Sequence, residues 1–580
     1  MSIRRMAAVM AAAAMALVPT VAVADAAAPP SGAAPSVAPA DWQACQDGLQ
    51  CATVKVPLDY RHPDGKKISI MMMRHQATDT AHRRGTLFFN SGGPYEQLTN
   101  FPRYLSVLPA SWVAQYDIIN FDPRGFGYST SVRCFPSEAA ENSFLAGLPA
   151  DVPVTPAQIT TWDQIMARYS ALCARTNGSL LQHTSTADVA RDMDLLRQSV
   201  GEPELNYVAG SYGTGLGAVY ANLFPAKVGR MILDGNVDPA VWTGSDGGKL
   251  PPFVAMRADV ASARTLDGLL NLCGRTFTAK CAFSAGTPAA TRAKYSTLMQ
   301  LLHAHPVTVG TPPNAQTCDD VCATFSLPLT QVSQWADGTT FLQQLWQAAR
   351  TGKAVASPVS PAGANPVSPA GANPVSPAGA NPVSPAGASP VSPAGANPVS
   401  PAGANPVSLA GLANPGSPVS AVSSPAPTPA TDPTPYTGGE QTIATICSDS
   451  DHPRDPRAYT AAARMSQARA GLVGLSWTWT TEICATWPKS ADTYTGPWNR
   501  PTVHPILVVG NTGDPDTPYW NSVAMTHELA HAGLLTIDGY GHTELLNPST
   551  CATDYENAYL QTGALPAPGT ICHQDALPFS

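Results

Sequence analysis

Three side chains of the kinds used in nucleophilic catalysis stand just past apolar, strand-like runs. They are Ser211 after LNYVA, Asp514 after PILVVGN and His542 after LLTIDG. A serine hydroxyl attacks a carbonyl only when a histidine takes its proton. A carboxylate then holds that histidine's tautomer and supports the imidazolium. Ser211 lies in VAGSYGTGLG, which departs from Gly-x-Ser-x-Gly because Ala209 fills the first glycine position. A strand that turns at once into a helix strains the turn residue and presses its flanks together, so small neighbours are needed. Gly213 meets that need, and Ala209 adds one methyl. The turn also aims Ser211 at a helix N-terminus, where free N–H groups favour an oxyanion. Asp516 competes with Asp514 for the acid's place, Asp514 then being an Asx-turn residue, and Asp514 is preferred. Among the 12 histidines, His527 and His531 fall on a helix face, His504 precedes a strand and His573 is near the C-terminus. His542 follows a strand end inside a glycine-bracketed loop.

An acyl-transfer site also needs N–H donors for the oxyanion, one after the nucleophile and one from an earlier strand-end loop. Tyr212 supplies the first. Gly92 and Gly93, in NSGGP directly after TLFFN, are placed for the second; the alternative is a plain Gly-Gly-Pro turn. The next residues are Tyr95-Glu96-Gln97. Glu96 is a candidate partner for a substrate ammonium, against the plainer reading of a solvated loop glutamate. Asp238 and Asp449 are other acids that could serve.

The elements that must position these residues follow from the hydrophobic pattern. Near-continuous apolar runs cover Ile68–His75, Thr86–Asn90, Asp117–Asp122, Leu205–Ala209, Arg230–Gly235, Pro505–Asn511 and Leu534–Gly539. Helical periodicity covers Ala187–Val200, Gly215–Phe224 and Trp520–Ala530. Alternation of this kind predicts an α/β fold with a mostly parallel, doubly wound sheet, whose chemistry sits at the carboxyl ends of its strands. The core is expected in two parts, 41–238 and 501–580. Between them the alternation stops, and a mostly helical cap is expected over 239–353 and 438–500. The cap is interrupted at 354–437 by a PVSPAGAN repeat of period eight, with little apolar side chain and a proline every few residues. Such a sequence predicts a disordered spacer rather than a solenoid.

Residues 1–24 read as a signal peptide: Arg4 and Arg5, an apolar Met6–Val18 run and Ala22-Val23-Ala24. Residues 25–40 follow as a flexible segment or propeptide. Twelve cysteines fit an exported chain with disulfides. They pair sequentially in the simplest scheme: Cys45–Cys51, Cys134–Cys173, Cys273–Cys281, Cys318–Cys322, Cys447–Cys484 and Cys551–Cys572. The close Cys318–Cys322 spacing could suit a metal, but no His/Cys set accompanies it. A net charge of −8 argues against a nucleic-acid partner. No later run is long and apolar enough for membrane insertion. The expectation is a secreted monomer without metal or organic cofactor.

CATVKVPLDY, FFNSGGP, YDIINFDPRGFGYST, TADVARDMDLLRQSVG, SYGTGLGAVYANLFP, MILDGNVDP, ICATWP, GDPDTP and GYGHT together resemble the secreted tripeptidyl aminopeptidases of actinobacteria. These are α/β-hydrolases related to proline iminopeptidase. The resemblance implies Ser211, Asp514 and His542 as the triad, and release of short peptides, often tripeptides, from free N-termini. Two positions depart from it: Ala209 replaces a glycine, and Tyr95-Glu96-Gln97 replace small residues. The other readings to keep in view are an ester hydrolase on the same triad and a catalytically silent binding protein with this fold.

Overall fold

The computed structural model describes residues 37–149, 151–245, 247–310, 315–352 and 435–579. The expected signal peptide, most of 25–40 and nearly all of the 354–437 repeat lie outside the described residues. All described residues belong to one compact unit, Val37–Ser580.

Twelve strands form among the described residues: β1 Gln43–Ala44, β2 Gln50–Pro57, β3 Lys67–His75, β4 Gly85–Asn90, β5 Tyr116–Phe121, β6 Leu205–Gly210, β7 Val228–Asp234, β8 Val307–Val309, β9 Gln316–Cys318, β10 Ile506–Gly513, β11 Ala532–Tyr540 and β12 Ile571–His573. Ten of them make one sheet in the order β1-β2-β3-β5-β4-β6-β7-β10-β11-β12, while β8 and β9 pair separately. Pairing is antiparallel from β1 through β3 to β5 and parallel from β5 onward. The order reverses between β4 and β6, which opens a crevice at their carboxyl ends.

Strand side chains alternate between the two faces, and the buried clusters follow that alternation. Phe88, Tyr207, Ala209, Met231, Leu233 and Val508 join one cluster. Leu87, Phe89, Val208, Ile232, Leu507 and Val509 join the other. Helices Thr186–Ser199 and Tyr212–Leu223 supply much of the first layer. Helix Pro156–Asn177 also packs there; a capping box between Thr155 and Gln158 starts it and contributes about 1 kcal/mol.

The two cap segments bury their apolar side chains in different places. Helices Ala258–Gly274, Pro288–Ala304 and Trp335–Thr351 build a core of their own around Leu269, Leu298, Trp335 and Leu342. The later segment instead puts Ile443, Tyr459, Trp479 and Ile483 into the cluster on the sheet. Its longest helix is Pro456–Ala470, and the WTWTTEICATWP stretch after it breaks into short turns. Unforeseen elements include β1, β2, β8, β9, β12 and helices Pro156–Asn177, Glu440–Asp449 and Thr550–Thr562. All six disulfides join the cysteines in sequential pairs. Among the described residues no helix is long and apolar enough to cross a membrane.

Candidate active site

Ser211 leaves β6 at φ 54° and ψ −131°, a conformation that non-glycine residues seldom adopt. Its N–H donates to Asp234 O at 3.0 Å, so the end of β7 holds the turn. Space here is tight. A Cβ on Gly213 would stand 2.9 Å from Ala209 Cβ and 2.7 Å from Asn90 Oδ1. The methyl of Ala209 is therefore accommodated because Gly213 has no side chain.

β4 lies beside β6, which brings the NSGGP loop onto the serine. A Cβ on Gly92 would fall 2.6 Å from Ser211 Cβ and 3.3 Å from its Oγ. Gly92 and Gly93 have φ of 106° and 107°, open to glycine and strained for other residues. Gly92 N–H already donates to Asn90 Oδ1 at 2.8 Å. Gly92 thus allows close approach without offering a free donor. The N–H groups of Gly93 and Tyr212 have no protein acceptor among the described residues.

Asp514 and His542 meet where β10 and β11 end side by side. His542 Nδ1 lies 2.8 Å from Asp514 Oδ2 and 3.1 Å from Oδ1. Asp514 Oδ1 also accepts the N–H groups of Asp516 and Thr517, each at 2.9 Å, and Thr517 Oγ1 donates to Oδ2 at 3.0 Å. Asp516 does not contact His542 by hydrogen bond, which separates the two candidate acids. Gly235 links the histidine loop to the serine turn: a Cβ there would lie 3.3 Å from His542 Cε1 and 2.8 Å from Thr543 Cγ2. Ser211 Oγ donates to no acceptor among the described residues, His542 Nε2 included; such contacts commonly tighten only when substrate binds.

Burial by itself would lower the His542 pKa. The Asp514 charge and hydrogen bond, with Asp516 and Asp234 beyond, outweigh it and raise the imidazole to about 9. Burial pushes Asp516 up to about 6, with the His542 cation opposing and the Asp514 charge adding. Asp234, buried and facing Glu544, rises to about 8.

The remaining candidate acids are committed elsewhere. Asp449 accepts from Thr186 N–H, Thr186 Oγ1 and Trp242 Nε1, clamping the later cap segment to the core. Asp238 caps helix Pro239–Trp242 and faces Glu528. Glu96 is only 7% exposed, so it is not a solvated loop residue. His504 pairs with Glu204, while His527, His531 and His573 are exposed on the surface.

Three bracing residues escaped the sequence reading. Thr517 Oγ1 lies 3.2 Å from His542 Nδ1 in addition to holding Asp514. Gln97 accepts from Ser91 N–H and donates to Gly92 O and Tyr95 O, tying the glycine loop to itself. Asn547 donates to His542 O and Thr543 O and reaches the cap at Thr330 O. Each is a polar residue inside a loop, where periodicity carries no signal; the threonine in GDPDTP was the one cue available. Among the described residues no three His, Cys, Asp or Glu side chains are grouped to hold a metal ion.

Residues 86–261 match the family model of the alpha/beta hydrolase fold and residues 470–572 that of TAP-like proteins. A tripeptidyl aminopeptidase of Streptomyces coelicolor is 37% identical over 211 residues, 34% of this chain and 38% of the relative's length. Serine protease Hip1 of Mycobacterium tuberculosis is 26% identical over 92% of this chain and 91% of its own. Carboxylesterase B of the same species is 26% identical over 93% of this chain and 91% of its own. The two strand-end constellations lie within the matched stretches, Ser211 in the one that matches the alpha/beta hydrolase fold and Asp514 with His542 in the one that matches TAP-like proteins, and the fold is that of the α/β-hydrolases.

Proposed function

We propose that this protein is a serine peptidase that releases short peptides, tripeptides first among them, from free N-termini. His542 Nε2 takes the Ser211 proton as Oγ attacks the scissile carbonyl. Asp514 holds the imidazole by Nδ1 and supports its positive charge. The Gly93 and Tyr212 N–H groups receive the oxyanion. The acyl-enzyme forms as the amine leaves with a proton from His542, and water activated by the same histidine releases the peptide. The observation that carries this reading is the convergence of four strand-end loops: Asp514 on His542 at 2.8 Å, and Gly92 packed against Ser211 so closely that no side chain fits.

The mycobacterial serine protease and the Streptomyces aminopeptidase support a peptidase; the mycobacterial carboxylesterase favours a second reading, ester hydrolysis on the same triad. A free-amine tripeptide anilide, its N-acetylated form and a short acyl ester separate the two. Cleavage of the unblocked anilide with little turnover of the acetylated one is expected. Turnover of the ester alone would overturn the peptidase reading. A fluorophosphonate should label the native protein and not Ser211→Ala; a native protein that stays unlabelled would point to a silent binding protein. Six disulfides and the basic-apolar N-terminus support export. N-terminal sequencing of protein from culture medium should begin near Asp25.

A further inference from the structure

Two carboxyls brace the glycine loop from behind, and each faces the other. Asp122, immediately after β5, accepts the N–H groups of Gln97 at 2.7 Å and Leu98 at 3.1 Å on Oδ1, and that of Tyr128 at 2.8 Å on Oδ2. Glu96 Oε1 accepts Thr99 N–H at 2.5 Å. Both carboxyl side chains converge on Gly127, where an added Cβ would collide with Asp122 Oδ2 and Glu96 Cγ. Asp122 is fully buried and Glu96 nearly so.

Two anions at this depth would repel strongly. The groups bearing most on the two carboxyls are main-chain N–H groups, the Thr99 hydroxyl and, for Asp122, the Glu96 charge. The loop itself contributes Tyr95, whose hydroxyl meets Ser91 Oγ and Tyr104 and which burial keeps protonated. Helix Glu440–Asp449 contributes neutral Gln441 to Gly127 N–H and Thr442 to Pro94 O. Burial raises Glu96, and burial with the Glu96 charge raises Asp122 to about 8. At neutral pH the pair therefore keeps a proton that exposed carboxyls would have lost. Asp122, with three main-chain donors, is the better seat for the one negative charge.

We propose that Glu96 and Asp122 are a positioning pair for the oxyanion loop: singly protonated, they hold Glu96–Thr99 against β5 and so hold Gly93 in place, and doubly ionised, they release it. The link is short. Gln97 donates its N–H to Asp122, and its side chain holds Ser91, Gly92 and Tyr95. This inference rests on Ser211 being the nucleophile and assigns Glu96 to loop support rather than to the substrate ammonium.

The test is the rate of fluorophosphonate labelling of the full-length protein and of Glu96→Gln from about pH 6 to about pH 10, alongside kcat and KM for the free-amine anilide and its acetylated form. The pair ionises near pH 8, before His542 deprotonates near 9, so the alkaline rise of wild type should be blunted, reaching at about pH 10 only about a tenth of the level that the His542 titration alone would give. In Glu96→Gln, which cannot ionise, that shortfall should shrink below about twofold, in labelling and in kcat, for both substrates. Glu96→Met offers the same readout should the glutamine variant fail to fold. Superimposable profiles would overturn the proposal. So would an effect confined to KM for the free-amine substrate, which would place Glu96 against the ammonium. Labelling with an unchanged profile counts against the pair alone; wild type that labels at no pH removes the Ser211 reading and the pair with it.

Discussion

Asp514 and Asp122 occupy equivalent places in the fold and carry opposite burdens. Each follows a parallel strand of the central sheet, is buried and collects main-chain N–H groups from nearby loop residues: Asp516 and Thr517 in one case, Gln97, Leu98 and Tyr128 in the other. They differ in the partner they face. Asp514 meets an imidazole, so its charge raises a base to about 9. Asp122 meets the carboxyl Glu96, so burial and like charge raise an acid to about 8. The same anchoring of a carboxylate by loop amides thus serves proton transfer where a base adjoins it and loop shape where an acid adjoins it.

The strongest test of that contrast is Asp514→Asn. The amide keeps the shape but removes the charge and can present the wrong group to Nδ1, so kcat/KM should fall on the order of 10³–10⁴-fold. The acid limb of what remains should move to lower pH, because the charge that raised His542 is gone. An unchanged acid limb would break the comparison. Thr517→Val removes the hydroxyl that touches both Asp514 and His542; a fall of about tenfold in kcat with little change in KM is expected from one lost hydrogen bond to a charged group.

Thermal stability separates the two aspartates by another route. The raised acid, Asp122, stabilises the fold most below the ordinary aspartate range, and that contribution is lost as pH rises toward about 8. The raised base, His542, stabilises fully below the ordinary histidine value, and its contribution is lost as pH rises toward about 9. Both signs agree, so the Tm measured by calorimetry should drop by a few degrees from about pH 5 to about pH 9. Glu96→Gln should flatten the part due to the acid pair and leave the part due to His542. A Tm that rises over this range would contradict both assignments. The smallest effect is expected from Ala209→Gly, which removes a methyl already matched by Gly213: kcat should change by less than about threefold, with a slight loss of stability from the added backbone freedom.

Much of the core was legible because its strands are buried on both faces and read as unbroken apolar runs. β4, β6, β7, β10 and β11 all overlap the expected segments, and the chemistry-bearing residues fall directly after them. β2 was missed because it alternates, with exposed Thr53 and Lys55 between buried Ala52, Val54 and Val56. Helix Pro156–Asn177 was legible and overlooked: its buried Trp162, Met166, Tyr169 and Cys173 fall at helical spacing among polar residues. In the cap, periodicity revealed helices but not destinations. Nothing in Ile443 or Trp479 distinguishes a side chain bound for the sheet from one bound for the cap's own core.

Sequence by itself determined the order of Ser211, Asp514 and His542, the strand-end setting of each, and the need for glycine at Gly92 and Gly213. Those are local consequences of hydrophobic period and turn sterics, which neighbouring residues suffice to impose. Only the tertiary structure decided which aspartate meets His542, that Gly92 spends its N–H on Asn90, and that Glu96 turns inward to Asp122. Such facts depend on which strand ends lie side by side in the β5-β4-β6-β7-β10-β11 order, and a carboxyl's charge is set by the groups that this order brings within a few ångströms of it.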